Sequence, residues 1–248
     1  MSLEFLDASA AVRTQRFSPV ARSPMERAAR AAGAQIEERD GWALAVAYVS
    51  SEQEAQTVSR AAGWADTSHL AKLELQAEPD VVEAISASNP SARFELGMAH
   101  RTDGAWWCPL APSRLLVICE PSRFVSVRRQ IEDAVGAAET PVSLVDVTTV
   151  FAALTIVGPL SREVFARFSA LDLRPQKTPV GAVRPGSVAR QPGLVVREDE
   201  DRFLMLFGWA VAEYVWRQVD AAARHLGGSP VGTDALAPLD AAVEEVRG

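Results

Sequence analysis

Apolar residues in this chain follow two different periods, and the segments with each period come in no strict order. Period-two segments predict strands at 42–48, 73–75, 114–119, 142–147, 152–157 and 202–207. A three-to-four-residue period predicts helices that begin near residues 24, 51, 79, 122, 159 and 211. Strict strand–helix alternation would favour a parallel sheet, so its absence predicts an α+β fold of mostly antiparallel sheets flanked by helices.

Three local patterns give more detailed expectations. Ser51 and Glu54 have the spacing of a capping box at a helix N-terminus. Lys72 begins a polar row that alternates with leucines, which predicts a strand with one exposed face. Residues 174–193 contain four prolines and three glycines, so we expect a long irregular connection there.

The overall charge is acidic, with 25 Lys and Arg against 32 Asp and Glu, a net charge of −7. An acidic total attracts neither phosphate backbones nor anionic lipid, so we expect no nucleic-acid partner. The N-terminal residues do not have the pattern of a signal peptide. The longest apolar run, 203–212, is well short of the ~20 residues that a membrane helix needs. These features predict a cytoplasmic protein without a membrane partner.

Residue types that bind metals or act as nucleophiles are scattered. They lack the close spacing of metal-ligand motifs, which predicts no metal site. The acidic run at 198–201 is better explained as a solvated hairpin tip than as a cation site. The isolated groups are His69, His100, His225, Cys108 and Cys119.

Two adjacent tryptophans, Trp106 and Trp107, are the most unusual local feature. Their rings must point to opposite faces if the segment is a strand. One alternative is that one ring fills the core while the other covers a sheet face. The other is that a ring forms a stacking wall for a planar ligand or a contact with a partner. In the second case a patch including at least one ring is exposed in the isolated chain and buried in a complex or a homo-oligomer, since aromatic anchors concentrate binding energy.

Three segments together resemble the folate-binding fold of the glycine cleavage system T-protein (aminomethyltransferase), its iron–sulfur-assembly relatives and the sarcosine oxidase gamma subunit. The first is similar to the family's Phe-Asp-Xaa-Ser-His run and the strand after it. The second resembles an apolar strand with a Gly-Pro turn and a helix, and the third a strand, a Trp-containing helix and a Pro-Xaa-Gly turn. They are residues 63–75, 153–164 and 202–232.

The resemblance implies the domain organisation. It covers about residues 23–240, as a T-protein-like fold of two intertwined α+β halves, after an N-terminal arm at 1–22 that we expect to be mobile and before a tail at 241–248. The T-protein's C-terminal barrel has no counterpart in this sequence. In length and motifs the chain is most similar to the sarcosine oxidase gamma subunit.

The resemblance also implies candidate site residues. In the T-protein an aspartate stabilises the positive charge on the transferred aminomethyl group, and Asp103 is the candidate in the matching segment. Asp103-Gly104 is also a strong hairpin-turn signal. Trp106, Trp107, Arg197 and Leu204 occupy cofactor-pocket positions. Leu204 replaces the glutamate that holds the pterin, and a leucine cannot accept its N–H bonds, so we expect tetrahydrofolate to bind weakly or not at all.

These departures favour an accessory or structural subunit with a degenerate folate pocket, in one-carbon or amine (sarcosine-like) oxidation metabolism. Its partners would be other protein subunits, similar to a flavin-dependent oxidase, or a second copy of the chain. The alternative is a tetrahydrofolate-dependent aminomethyl or methyl transferase that uses Asp103. A folate sensor or assembly factor is a third hypothesis, although the Lys-Gly-Cys loop of the iron–sulfur relatives is missing. The sequence does not decide whether the protein is an enzyme.

Overall fold

The computed structural model describes residues 19–88, 94–136 and 138–237. Its helices and mostly antiparallel sheets confirm the predicted α+β class. The helices are α1 (Glu26–Ala31), α2 (Ser51–Arg60), α3 (Pro79–Ser88), α4 (Phe124–Val135), α5 (Ser161–Ala166) and α6 (Ala212–Arg224). The strands are β1 (Ala21–Arg22), β2 (Gln35–Arg39), β3 (Trp42–Ala47), β4 (Gly63–Asp66), β5 (Ala71–Gln76), β6 (His100–Thr102), β7 (Ala105–Ala111), β8 (Arg114–Cys119), β9 (Ser143–Asp146), β10 (Phe151–Val157), β11 (Val183–Val188), β12 (Gln191–Asp199), β13 (Arg202–Gly208) and β14 (Ser229–Pro230).

Two large sheets and one small sheet organise these strands. The six-stranded sheet has the order β11-β12-β13-β10-β4-β14, and the five-stranded sheet has the order β6-β7-β8-β5-β9. The small sheet has the order β1-β3-β2. Within the described residues, parallel pairing joins only β1 to β3 and β4 to β14. No helix in these ranges is both long enough and apolar enough to cross a membrane.

Both faces of each large sheet are covered. Between the sheets, an apolar cluster joins Trp106 and Ile118 of the five-stranded sheet to Val196 and Leu204 of the six-stranded sheet. The outer face of the five-stranded sheet packs against α3 and α4, and that of the six-stranded sheet packs against α5 and α6. A side chain on a central strand is therefore buried whichever face it points to.

This coverage makes the prediction of an exposed tryptophan patch wrong. The rings do point to opposite faces, but Trp106 is 6% exposed and Trp107 is 1% exposed. Trp106 lies between the two large sheets, while Trp107 packs in the outer core of the five-stranded sheet. There it stacks on Phe94 with the ring centroids 6.0 Å apart. The chain itself covers both rings, so neither is available as an interface anchor.

The predicted irregular connection at 174–193 is wrong from Val183 onward. Residues Val183–Val188 form β11, which pairs antiparallel with β12 at the edge of the six-stranded sheet. Pro185 is tolerated because an edge strand does not need every backbone N–H for pairing. Gly186 leaves room for Leu171, since an added Cβ would lie 2.5 Å from that side chain. Proline and glycine here mark an edge strand and not a loop.

The predicted capping box of α2 is displaced by one residue. The helix is capped by Ser50 and Gln53, whose side chains and backbone amides bond reciprocally. Glu54, predicted as a capping residue, is only 2% exposed and bonds to distant backbone instead. Its Oε1 accepts from Tyr48 N at 2.6 Å, and its Oε2 accepts from Gly232 N at 3.0 Å. Glu54 therefore ties the C-terminal turn to the N-terminal half of the fold.

The first described residues are fixed to the core. Ala21 and Arg22 form β1, so the expected arm at 1–22 includes two strand residues at its end. Ser23 Oγ donates to the Asp66 carboxylate and accepts from Met25 N at 3.0 Å. Residues 1–18 of the arm and the tail at 241–248 lie outside the described residues.

Candidate functional site

A small pocket lies between the two large sheets, beside the apolar cluster that joins them. Its walls come from the β4–β5 connection, the β6–β7 hairpin, the end of β8, β10, the β12–β13 hairpin and the C-terminal turn at 233–236. The internal volume is about 80 Å³. Its principal polar and aromatic lining residues are His69, Arg101, Trp106, Glu120, Glu198 and Arg202. We take this pocket as the candidate site because it brings ionisable groups to the junction of the two sheets.

Charged groups in the pocket bind one another. Arg202 Nε donates to Glu198 Oε2 at 2.9 Å, and both side chains are buried. The Arg101 guanidinium lies 5.8 Å from the Trp106 ring centroid, within cation–π range. These contacts fix the positions of the side chains before any ligand enters.

His69 is a neutral imidazole in this pocket. Its ring is 9% exposed, and burial, helped by the nearby Lys72 charge, lowers its pKa to about 3. The 3.8 Å separation between His69 Nε2 and Glu120 Oε2 is therefore not an ion pair at neutral pH. The sequence predicted an isolated histidine here and not a pocket-lining one, because the residues around His69 come from strands that are distant in sequence.

Asp103 lies at the tip of the β6–β7 hairpin and is exposed. Its φ is +52° and that of Gly104 is +73°, and two successive positive φ values define a type I′ turn. Gly104 lines the pocket, whereas the lining does not include Asp103. The geometry gives Asp103 a turn role, and its catalytic role stays a prediction.

Arg197 is buried and binds backbone carbonyls. Its guanidinium donates to the oxygens of Thr178 at 2.8 Å, Asp199 at 3.2 Å and Glu200 at 2.8 Å. It pairs across the strands with Phe203, which packs in the outer core of the six-stranded sheet. Arg197 therefore holds the β12–β13 hairpin in shape from the face opposite the apolar cluster between the sheets.

The predicted pocket positions are only partly brought together. Trp106 lines the pocket, and the fully buried Leu204 packs in the same apolar cluster between the sheets. Trp107 and Arg197 lie on the opposite faces of their sheets. Binding roles for these four residues remain predictions, and the geometry favours Trp106 and Leu204.

A buried polar network beside the pocket was not predicted. Asp66 accepts from the Ser68 backbone N–H at 3.0 Å, and Lys72 Nζ donates to the carbonyls of Ser68 at 3.0 Å and Leu70 at 2.7 Å. Lys72 is fully buried, so the prediction of an exposed strand face is wrong at this position. The six-stranded sheet covers the face that carries it, which a period-two pattern within one strand does not reveal.

Lys72 gives a pH-dependent prediction. Burial lowers its pKa to about 7, although the charges of Asp66 and Asp146 oppose the shift. Between pH 7 and 10.5 the unfolded chain binds more protons at this lysine than the folded chain, so its contribution makes stability rise with pH. We expect an increase of about 1 kcal/mol from pH 7 to 8, measured by urea unfolding.

Lys72→Met provides the control for this measurement. Methionine fills a similar volume without a titratable group, so the pH-dependent increase should be lost. The buried thiols of Cys108 and Cys119, whose pKa values are raised by burial, act in the opposite direction. Cys108 is common to both proteins, whereas loss of the Lys72 charge raises the pKa of Cys119 further in the variant. Equal slopes for the wild type and the variant would contradict the assignment.

No cluster of three or more His, Cys, Asp or Glu side chains suited to a metal ion occurs in the described ranges. What the site offers is a neutral imidazole, paired charges and an aromatic wall. This arrangement can hold a small polar group.

Comparison with solved structures identifies the fold of this chain. The fold is the T-protein-like folate-binding fold. It superposes on a chain of heterotetrameric sarcosine oxidase from Corynebacterium sp. U-96 with a TM-score of 0.64 and 21% identity. The superposition covers 85% of this chain and 98% of that chain. The fold also superposes on aminomethyltransferase T of the glycine cleavage system from Bartonella henselae with a TM-score of 0.69 and 16% identity, covering 87% of this chain and 60% of that chain.

The sequence gives the family. The model of the GCVT N-terminal domain matches residues 25–241, and the chain belongs to this family. It is 27% identical over 218 residues to an aminomethyltransferase of Streptomyces avermitilis, and this match covers 82% of the chain. The chain spans 57% of the length of that curated relative.

Proposed function

We propose that this chain is an accessory or structural subunit that keeps an aminomethyltransferase-like folate-binding fold but has a degenerate folate pocket. It would act in the cytoplasm, in one-carbon or amine (sarcosine-like) oxidation metabolism. Its partners would be other protein subunits, similar to a flavin-dependent oxidase, or a second copy of the chain. The proposal includes no nucleic-acid and no membrane partner.

The apolar filling between the two large sheets is the observation that carries this proposal. Leu204 is fully buried there beside Trp106, at the position where the family resemblance implies the pterin-binding glutamate. The remaining pocket holds about 80 Å³, whereas pockets for small organic ligands hold roughly 300 to 1,000 Å³. A pterin would have to displace apolar side chains and leave N–H groups unpaired, at about 1 to 3 kcal/mol for each.

The accessory role has a second source of support. The fold of this protein covers 98% of one chain of a heterotetrameric sarcosine oxidase. A chain that consists of little more than this fold can therefore be one component of a larger assembly. The alternative of a tetrahydrofolate-dependent transferase is supported by the family, and it requires a carboxylate at the pocket. Asp103, the carboxylate that this alternative uses, lies at the exposed hairpin tip and outside the pocket lining, whereas the carboxylates that line the pocket are those of Glu120 and Glu198.

Calorimetric titration with tetrahydrofolate tests the proposal. We expect no binding, or a dissociation constant well above the micromolar range, because the pocket is small and apolar at Leu204. The matched control is the Streptomyces avermitilis aminomethyltransferase, titrated under the same conditions. A dissociation constant in the low micromolar range, about 8 kcal/mol of binding free energy, would overturn the accessory role and favour the transferase.

A further inference from the structure

A second concavity, which we call the α2 groove, is separate from the pocket between the sheets, although Arg202 borders both. It encloses about 470 Å³. Its floor is apolar and comes from Ala55 and Val58 of α2 and from the Val157–Pro159 turn. Asp199, Glu200 and Asp201 form its rim. Ala55 and Pro159 are exposed, so apolar surface is accessible inside the groove.

The rim has an excess of negative charge. Arg162 Nη2 is 3.7 Å from Asp201 Oδ1, and the charges of all three carboxylates act on the Arg197 guanidinium, where they oppose the lowering of its pKa by burial. With Glu198, four carboxylates lie close to Arg162, Arg197 and Arg202, which leaves an excess of one negative charge. Arg202 is bonded to Glu198, and Arg197 donates to the backbone carbonyls of Asp199 and Glu200, so the side-chain carboxylates of these two rim residues accept no bond from it. Asp199 and Glu200 are exposed. The groove therefore combines an apolar floor with a potential that attracts cations.

The parts of the groove are held rigidly together. Gly158 N donates to Asp201 O at 2.9 Å, and Ser161 Oγ donates to the same oxygen at 3.1 Å. Gly158 has a φ of +116°, and an added Cβ would lie 2.5 Å from the Ala61 carbonyl oxygen of the segment after α2. Because the turn, the helix end and the acidic tip are fixed, binding here would pay little ordering entropy.

We propose that the α2 groove is the docking site for a segment of a partner protein that carries apolar side chains between lysine or arginine residues. This inference rests on the proposed accessory role. The floor would remove an apolar side chain from water, while the rim would pair with flanking cations and reject acidic segments. A second copy of this chain is a poorer occupant, because its net charge of −7 repels the acidic rim.

Fluorescence polarisation of the full chain with a labelled hexapeptide tests the inference. The peptide has two central leucines flanked on each side by two arginines. Control peptides replace the arginines with glutamates or the leucines with serines. We expect only the parent peptide to bind measurably, and its affinity to fall as salt is raised, because the rim charges are exposed.

Two variants locate the binding. Glu200→Lys reverses a rim charge, and Ala55→Arg fills the floor from an exposed helix position. Each should weaken parent-peptide binding about tenfold or more, equivalent to about 1.4 kcal/mol. Glu139→Lys, an exposed acid that does not line the groove, should change it by less than about twofold. Circular dichroism checks that each variant is folded.

The contrary outcomes are distinct. Equal binding of the arginine and glutamate peptides, or binding unchanged by both groove variants, would overturn the inference. Self-association of the wild type that Ala55→Arg abolishes in sedimentation would make a second copy the occupant and also overturn it. Tight tetrahydrofolate binding would overturn the accessory role without changing the peptide result, while absent peptide binding would overturn the docking site alone.

Discussion

Replacing Glu54 with alanine is expected to lower the free energy of unfolding by about 3 to 5 kcal/mol, because a buried, charged acceptor is lost. The carboxylate accepts from the backbone amides of Tyr48, Val49 and Gly232 at 2.6, 3.3 and 3.0 Å. Without it these N–H groups lose their acceptor, and the buried N–H of Gly232 remains unpaired. Urea denaturation monitored by circular dichroism measures the change.

Glu52→Ala is the matched control for this prediction. Glu52 lies in the same first turn of α2 and is exposed. Its removal should cost about 0.5 kcal/mol, the usual value for an acid near a helix N-terminus. Glu54→Gln, which keeps the shape and one acceptor oxygen, should fall between the two. Equal effects of the two alanine variants would show that the Glu54 contacts do not stabilise the fold.

Gly232→Ala is expected to destabilise the chain by about 4 kcal/mol or more, or to prevent folding. An added Cβ would overlap the backbone carbonyl of Val46 in β3. The C-terminal turn and β3 would have to separate to admit one methyl group. The φ of Gly232 is −78°, an ordinary value for any residue, so the effect would be steric. Thermal unfolding and limited proteolysis measure it.

Gly227→Ala separates steric from torsional cost. At Gly227 an added Cβ meets nothing within 4 Å, but φ is +78°. This left-handed conformation should cost alanine about 1 kcal/mol. If Gly232→Ala is no more destabilising than Gly227→Ala, the close approach of the C-terminal turn to β3 is wrong.

Elements whose signals are local were predictable from the sequence. The strand at 114–119 coincides with β8, and the Asp103-Gly104 signal marks the observed hairpin between β6 and β7. In both cases the residues that determine the structure are neighbours in sequence. Mixed periodicity gave the α+β class for the same reason, because each segment reports its own exposed and buried faces.

Burial by distant parts of the chain could not be predicted in the same way. Lys72 follows a half-exposed pattern and is nevertheless covered by the opposite sheet. Glu54 has a helix-capping position but bonds to Gly232, far along the chain. The candidate pocket was missed at His69 because its walls come from six parts of the chain that are far apart in sequence. Family resemblance supplied the fold that brings these parts together, whereas side-chain contacts required the structure.

The position of β4 has a consequence for synthesis of the chain. This strand lies between β10 and β14, pairing with residues 154–157 on one side and 229–230 on the other. A ribosome adding about 5 to 20 residues per second needs roughly 5 to 20 s to proceed from β4 to its first partner. During that interval the apolar Trp64 strand has two open edges. Translation speed therefore sets how long these edges of the nascent protein can pair with other chains. The second edge of β4 is covered only when β14 has been synthesised.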